Sequence, residues 1–169
     1  ALWRAVGRGA AGGEGAGGVS AAAIRRLEAA DVAGLRALNA VFAAAFDDPA
    51  LYDDAPPSDA YLRDLLADPH FIALVAEREG TVVGGLTAYV LRKPERARAE
   101  VYIYDLAVLE AHRRAGVATS LIEALKPIAK ARGAWVIFVQ ADYVDPPAIA
   151  LYEKLGAREE VLHFDIAVE

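Results

Sequence analysis

The chain reads as an α/β fold (α+β in the sense that its sheet is mixed), with one central sheet and helices on both faces. Three observations lead there. Apolar periodicity alternates between two residues and 3.6 residues along 21–169, in the order β, α, α, β, β, β, α, β, α, β. From Val101 to Thr119 a strand pattern passes through a glycine-containing turn straight into a helix. A continuous apolar run, Ala134 to Gln140, follows that helix, so the two strands flanking it should lie parallel, the later one covered on both faces. A length of 169 residues with 56% apolar side chains suits a single domain with a sizeable core.

Residues 1–20 include A-A-G-G-E-G-A-G-G, a composition that predicts a flexible extension outside the folded domain, which spans 21–169. Ala22 to Leu27 reads as a short strand. Asp31 is placed to cap a helix reaching about Phe46, with Leu35, Leu38, Val41, Phe42 and Ala45 on one side. Residues 47–57, D-D-P-A-L-Y-D-D-A-P-P, read as a proline-broken acidic loop, and Ser58 caps a short helix over 59–67. Phe71 to Glu77 and Thr81 to Leu91 are strands joined by a tight turn at Arg78, Glu79 and Gly80. A basic loop, 92–99, leads to the strand that starts near Val101.

The helix after Gly116 buries Leu121, Ile122, Leu125, Ile128 and Ala129. Pro127 lies within it, removes a donor and clashes with the Glu123 carbonyl, so a kink or an early end is expected. A helix over about 147–154 should end at Gly156 as a C-cap, and Val161 to Val168 should form a final strand.

The net charge of −6 argues against nucleic acid as a partner and fits a cationic one. Without cysteine there are no disulfides and no thiolate zinc sites. No apolar run reaches the 18 or so residues a membrane helix needs, and no basic-then-apolar leader is visible, so a cytoplasmic location is expected. His70, His112 and His163 are scattered, and no metal site is expected. Seven aspartates and a single cation, Arg63, occupy 47–68; they either solvate loops and cap helices or attract a polycation.

The turn at 110–116 carries the clearest chemistry. A strand feeding a glycine turn and a helix start presents free N–H groups and the positive end of a helix dipole to an anion. Gly116 allows close backbone approach, and Arg113 and Arg114 add cations. The pattern Arg113-x-x-Gly116-x-Ala118 has neither the three glycines of a dinucleotide fingerprint nor the Gly-Lys-Ser/Thr of a P-loop. It resembles instead the pyrophosphate-binding signature R/Q-x-x-G-x-G/A of the GNAT acetyltransferases. Ala148-x-x-x-Tyr152-x-x-x-Gly156 is similar to a second motif of that family, and the order of elements agrees. The stretches Y-I-Y-D-L-A-V, H-R-R-A-G-V-A-T and V-Q-A-D-Y-V-D-P-P-A-I-A-L-Y-E-K-L-G resemble most nearly the aminoglycoside 3-N-acetyltransferases. Asp145 stands where the family usually has asparagine, and Pro127 has no family counterpart.

The resemblance implies a splay between the fourth and fifth strands. Backbone groups of Leu106, Ala107 and Val108 would hold the pantetheine arm of acetyl-CoA, and Arg113, Arg114, Ala115, Gly116, Val117, Ala118 and Thr119 its pyrophosphate. Asp105 would bind the substrate ammonium and take or relay its proton, and Tyr152 would protonate the departing thiolate. Asp142 and Asp145, after the apolar strand, are candidates for holding further ammonium groups. Asp54 in the acidic loop and Tyr104 are weaker ones; strand alternation puts Glu100, Tyr102 and Tyr104 on the face opposite Asp105. The implied reaction is acetyl transfer from acetyl-CoA to the 3-amino group of an aminoglycoside, with a homodimer allowed. Two alternatives stay open: the same chemistry on polyamines or protein amines, and a non-catalytic acyl-CoA-binding module.

Overall fold

The computed structural model describes residues 21–168; the expected flexible extension, 1–20, lies outside them. Five strands, β1 (Ala23–Arg26), β2 (Phe71–Arg78), β3 (Thr81–Arg92), β4 (Ala99–Val108) and β5 (Ala134–Val139), form one sheet in chain order. The first four are antiparallel neighbours, and β5 joins β4 in parallel. The β2–β3 hairpin turns through Glu79 and Gly80, both at positive φ (50° and 76°), the backbone a two-residue turn between twisted strands requires.

Five α-helices complete the fold among the described residues. α1 (Val32–Phe46) and α3 (Asp59–Ala67) cover one face of the sheet: Leu35, Leu38, Val41, Phe42, Leu62 and Leu66 pack on Phe71, Ala73, Val75 and Ala107. α4 (Val117–Ala131) covers the other, with Leu121, Leu125 and Ala129 against Ile72, Leu74, Val101 and Ile103. Alternate residues of β2 thus feed two separate cores, as strand pleating dictates. α1 lies close to β3, because Gly85 has no side chain: a Cβ there would come within 2.4 Å of Leu38 and of the Leu74 carbonyl.

Several expectations are corrected. The acidic loop is not wholly irregular: Asp48 accepts a hydrogen bond from the Leu51 N–H at 3.2 Å and starts a short helix, α2 (Pro49–Asp53). Ser58 caps α3 as expected, through the Tyr61 N–H at 3.2 Å. Asp31 sits at the N-cap of α1 without capping it; its carboxylate takes the Glu28 N–H and the Arg25 guanidinium instead. α4 does not end at Pro127 but runs one further turn. Its apolar stripe is anchored on both sides of the proline by Leu125 and Ala129, and that packing outweighs one missing donor. β5 is not covered on both faces, for Trp135 and Phe138 are 59% and 37% exposed. α5 (Pro146–Leu155) ends at Gly156, which is extended (φ −155°) and not left-handed. No strand forms over 161–168 among the described residues.

Candidate active site

The splay is present. β4 and β5 pair only as far as Ile103 and Val139, so Tyr104 to Val108 have no partner on that side. At the same point β4 carries a bulge: Thr87 faces Asp105 and Ala88 faces Ile103, leaving Tyr104 as the extra residue. A bulge of this kind resets strand alternation. Ala99, Val101 and Ile103 point to the α4 side before it, and Leu106 and Val108 do so after it. Tyr102, Tyr104 and Asp105 therefore share the α1 face, which corrects the expectation that the tyrosines oppose the aspartate. Ring contacts agree, with Tyr104 edge-on to both Tyr89 and Tyr102 at 5.8 Å.

A cavity of about 20 Å³ opens here, lined by Phe46, Tyr104, Asp105, Leu106, Val139, Gln140 and Tyr152. It has room for about one water and so represents the floor of a site, not a whole substrate pocket. Asp105 enters from the α1 side, whereas Tyr152, on α5, packs against the α4-side core. The gap left by the departing strand is what lets groups from opposite faces of a sheet meet.

Asp105 accepts a hydrogen bond from the Thr87 hydroxyl at 3.0 Å. Burial raises its pKa above the ordinary carboxylate value, and the Thr87 bond holds it back. The Tyr152 phenol is pushed up to about 12, first by burial and then by the charge of Asp145, so it keeps its proton at neutral pH. Tyr52, brought in by α2, is also raised, by burial and then by Asp105.

Beside the cavity, β4 leads through a short 3-10 turn (Glu110–His112) to α4. Arg114 (φ 57°) and Gly116 (φ 76°) are left-handed, and a Cβ at Gly116 would meet nothing within 4 Å. The N–H groups of Arg114 to Thr119 have no acceptor among the described residues, and Gly116 caps nothing. Exposed donors in a row at a helix start form a cradle for a phosphate. Arg113 is turned away from it, its Nε donating to the Val108 carbonyl at 3.0 Å.

The other predicted carboxylates do not line the cavity. Asp145 caps α5 through the Ala148 N–H at 3.1 Å. Asp142 is exposed at the preceding turn, and Asp54 is exposed at the end of α2. Sequence reasoning missed Phe46, Tyr52, Thr87, Val139 and Gln140. The signal for Thr87 was a lone hydroxyl in an apolar strand; it is the buried polar residue of the described chain at 7% exposure. Gln140 Oε1 accepts a hydrogen bond from the Tyr102 hydroxyl at 2.9 Å. A larger cavity of about 330 Å³ lies at the start of β4, among His70, Arg92, Lys93, Arg98 and Arg132, and holds none of the predicted residues. No group of three or more potential metal ligands occurs among the described residues, and no described helix is long and apolar enough to cross a membrane.

Residues 36–157, which hold the bulge, the splay and the amide cradle, match the model of the family described as "Acetyltransferase (GNAT) family". The chain belongs to that family. Among solved structures, this GNAT chain is similar to an aminoglycoside acetyltransferase from an uncultured soil metagenomic sample. The two are 55% identical with a TM-score of 0.87, over 89% of this chain and 100% of the other. A second aminoglycoside acetyltransferase from such a sample, solved in complex with sisomicin, is 33% identical with a TM-score of 0.81, over 88% of this chain and 97% of its own. An N-alpha-acetyltransferase of Sulfurisphaera tokodaii is 32% identical over 92 residues, 50% of this chain and 55% of that protein. The GNAT chain thus spans about half, or less, of the curated relatives it matches.

Proposed function

We propose that this chain transfers the acetyl group of acetyl-CoA to an amine of an aminoglycoside, at the 3-amino position, in the cytoplasm. One observation carries the reading: a carboxylate and a phenol from opposite faces of the sheet line one cavity at the splay, beside a row of free amides. The residues fit the cofactor. Leu106, Ala107 and Val108, on the edge β5 leaves free, would hold the pantetheine arm like an added strand. Arg114 to Thr119 would hold the pyrophosphate, with Arg114 as the nearby cation. Bound acetyl-CoA supplies an acyl group activated as a thioester.

The chain's own residues do the rest. The substrate amine arrives as an ammonium ion and must lose a proton before it can attack. Asp105 receives it, and burial makes this carboxylate a stronger base than an exposed one. As the C–N bond forms and the C–S bond breaks, the sulfur leaves with the bonding electrons and the nitrogen gives its second proton to solvent. Tyr152 gives that sulfur its proton and is returned to the phenol by solvent. A net charge of −6 and the acidic residues Asp47, Asp48 and Asp54 favour a substrate with several ammonium groups. Asp142 and Asp145 would add to that attraction from the other side. The solved relative in complex with sisomicin supports the same class of substrate.

The archaeal relative's name supports a second reading, transfer to the amino terminus of a protein. Thiol release from acetyl-CoA with gentamicin-type aminoglycosides, polyamines and a peptide amine separates the readings. Brisk turnover with the antibiotics, a product acetylated at the 3-amino nitrogen by NMR, and raised resistance in an expressing bacterium are expected. Turnover with the peptide alone would replace the proposal.

A further inference from the structure

β2 to β5 share one end of the sheet, the end away from Asp105. His70 leads into β2, and its carbonyl accepts the Val90 N–H of β3 at 2.8 Å. Arg92 of β3 is in register with Ala99 of β4, and Ala99 with Ala134 of β5. Arg132, at the C-cap of α4, and the left-handed Gly133 (φ 75°) come just before β5. This register gathers His70, Arg92, Lys93, Arg98 and Arg132 around the cavity of about 330 Å³. Roughly 20 Å of strand, at about 3.3 Å per residue, separates Ala99 from Asp105. The amide cradle lies at the opposite end of α4. The cavity is therefore a place of its own.

Its charge is one-sided. Four permanent cations line it and, among the described residues, no carboxylate does. Lys93 is paired with Glu100 at 3.5 Å and Glu95 at 3.9 Å, and Arg98 with Glu95 at 3.4 Å. His70 is held by Asp68 at 3.3 Å. Arg92 and Arg132 have no ion pair or side-chain hydrogen bond among the described residues. Arg98 is incompletely satisfied as well: its guanidinium lies 4.5 Å from the centre of the Trp135 ring, and its buried Nε has no acceptor. A chain of net charge −6 has carboxylates to spare, yet these cations are left to repel one another around a concave space. That costs free energy until a counter-charge enters. Guanidinium forks match the paired oxygens of carboxylates and phosphates. We infer that this cavity binds a small multivalent anion, a phosphate ester or a polycarboxylate, with Arg92 and Arg132 as its main contacts. The volume is that of a small-metabolite site. The inference does not rest on the acetyl-transfer reading.

Citrate and glucose 6-phosphate are the probes, titrated separately by calorimetry at constant ionic strength, with sodium chloride making up the difference. Saturable binding of one anion per chain is expected, and binding of only one probe would name the acid group preferred. Arg92→Ala/Arg132→Ala should raise the dissociation constant about tenfold or more, since it removes two charge-assisted contacts. Arg92→Glu and Arg132→Glu, each alone and checked for folding by circular dichroism, should do the same by reversing a charge. Gly116→Asp, which obstructs the cradle, should leave the dissociation constant unchanged. An absence of saturable heat with both probes would overturn the inference. Binding that survives all three arginine variants would overturn it, and binding lost in Gly116→Asp would place the anion in the cradle instead.

Discussion

Thr87→Val removes one hydroxyl and keeps the side chain's shape. In the folded protein that hydroxyl donates to Asp105 at 3.0 Å from a strand position only 7% exposed. The bond stabilises the ionised carboxylate, so losing it must raise the Asp105 pKa further in the direction burial already pushes it. A hydrogen bond to a charged group contributes about 1.5–3 kcal/mol. One pKa unit corresponds to about 1.36 kcal/mol. Asp105 is partly open to solvent, so the lower end applies and the shift is roughly one unit. Asp105 must be ionised to take the amine proton, so the acid limb of kcat/KM should move up by roughly that unit, with activity recovered at higher pH. The assay is thiol release from acetyl-CoA across a pH series with the antibiotic well below its KM, alongside circular dichroism to confirm folding. A folded variant whose acid limb stays in place would show that Asp105 is not the group that titrates. A uniform loss at every pH would show that Thr87 acts only through packing.

The remaining expectations concern single groups. Asp105→Asn should abolish turnover yet raise Tm at neutral pH. A carboxyl whose folded pKa lies above its ordinary 3.8 contributes stability below that value and loses it as pH rises, so the gain should vanish in calorimetry at pH about 3. Tyr152→Phe should lower kcat by at least tenfold with little change in either KM, since the missing proton acts on the leaving sulfur; unaltered kcat would leave water as the donor. Gly116→Asp should weaken acetyl-CoA binding by an order of magnitude or more in titration calorimetry, while Gly116→Asn, which tolerates positive φ better and carries no charge, should lose less. Equal losses would mean that backbone strain alone decides. Added salt should raise KM for the antibiotic, as screening of exposed carboxylates requires.

The parts of the fold written in strong periodicity were legible: both hairpin strands, α1, α3, α4 and the parallel pair around α4. Residues 114–119 form a turn into a helix start, as their pattern reads, and Asp105 and Tyr152, each singled out by a motif, line one cavity. The misreadings have physical causes. Alternation along β4 fails at Tyr104 because a bulge is a matter of register against β3, which no single strand encodes. α4 passes Pro127 without the early end that a proline allows, because the packing of Leu125 and Ala129 on either side of it is a tertiary effect. The apolar run of β5 reads as covered on both faces, yet Trp135 and Phe138 are exposed, and residues 161–168 carry a strand's pattern but pair with no strand among the described residues. Thr87 could have been singled out as a polar residue in an apolar strand, but nothing local names its partner eighteen positions away.

The order of the sheet has a consequence for how the molecule comes into being. Strands β1 to β4 pair each with its predecessor, and both helical layers over them, α1 with α3 and then α4, are complete by Ala131. During synthesis from the N-terminus that body can close on local contacts before β5 exists, whereas β5 can be added only by a crossover. Asp105 thus belongs to the part that assembles first, and Tyr152 to the part that docks last. The bottom of the seam between them is where acetyl-CoA would lie. A molecule bound there ties the late segment to the early one, and by mass action it should protect residues 134–156 from proteases more than any other stretch.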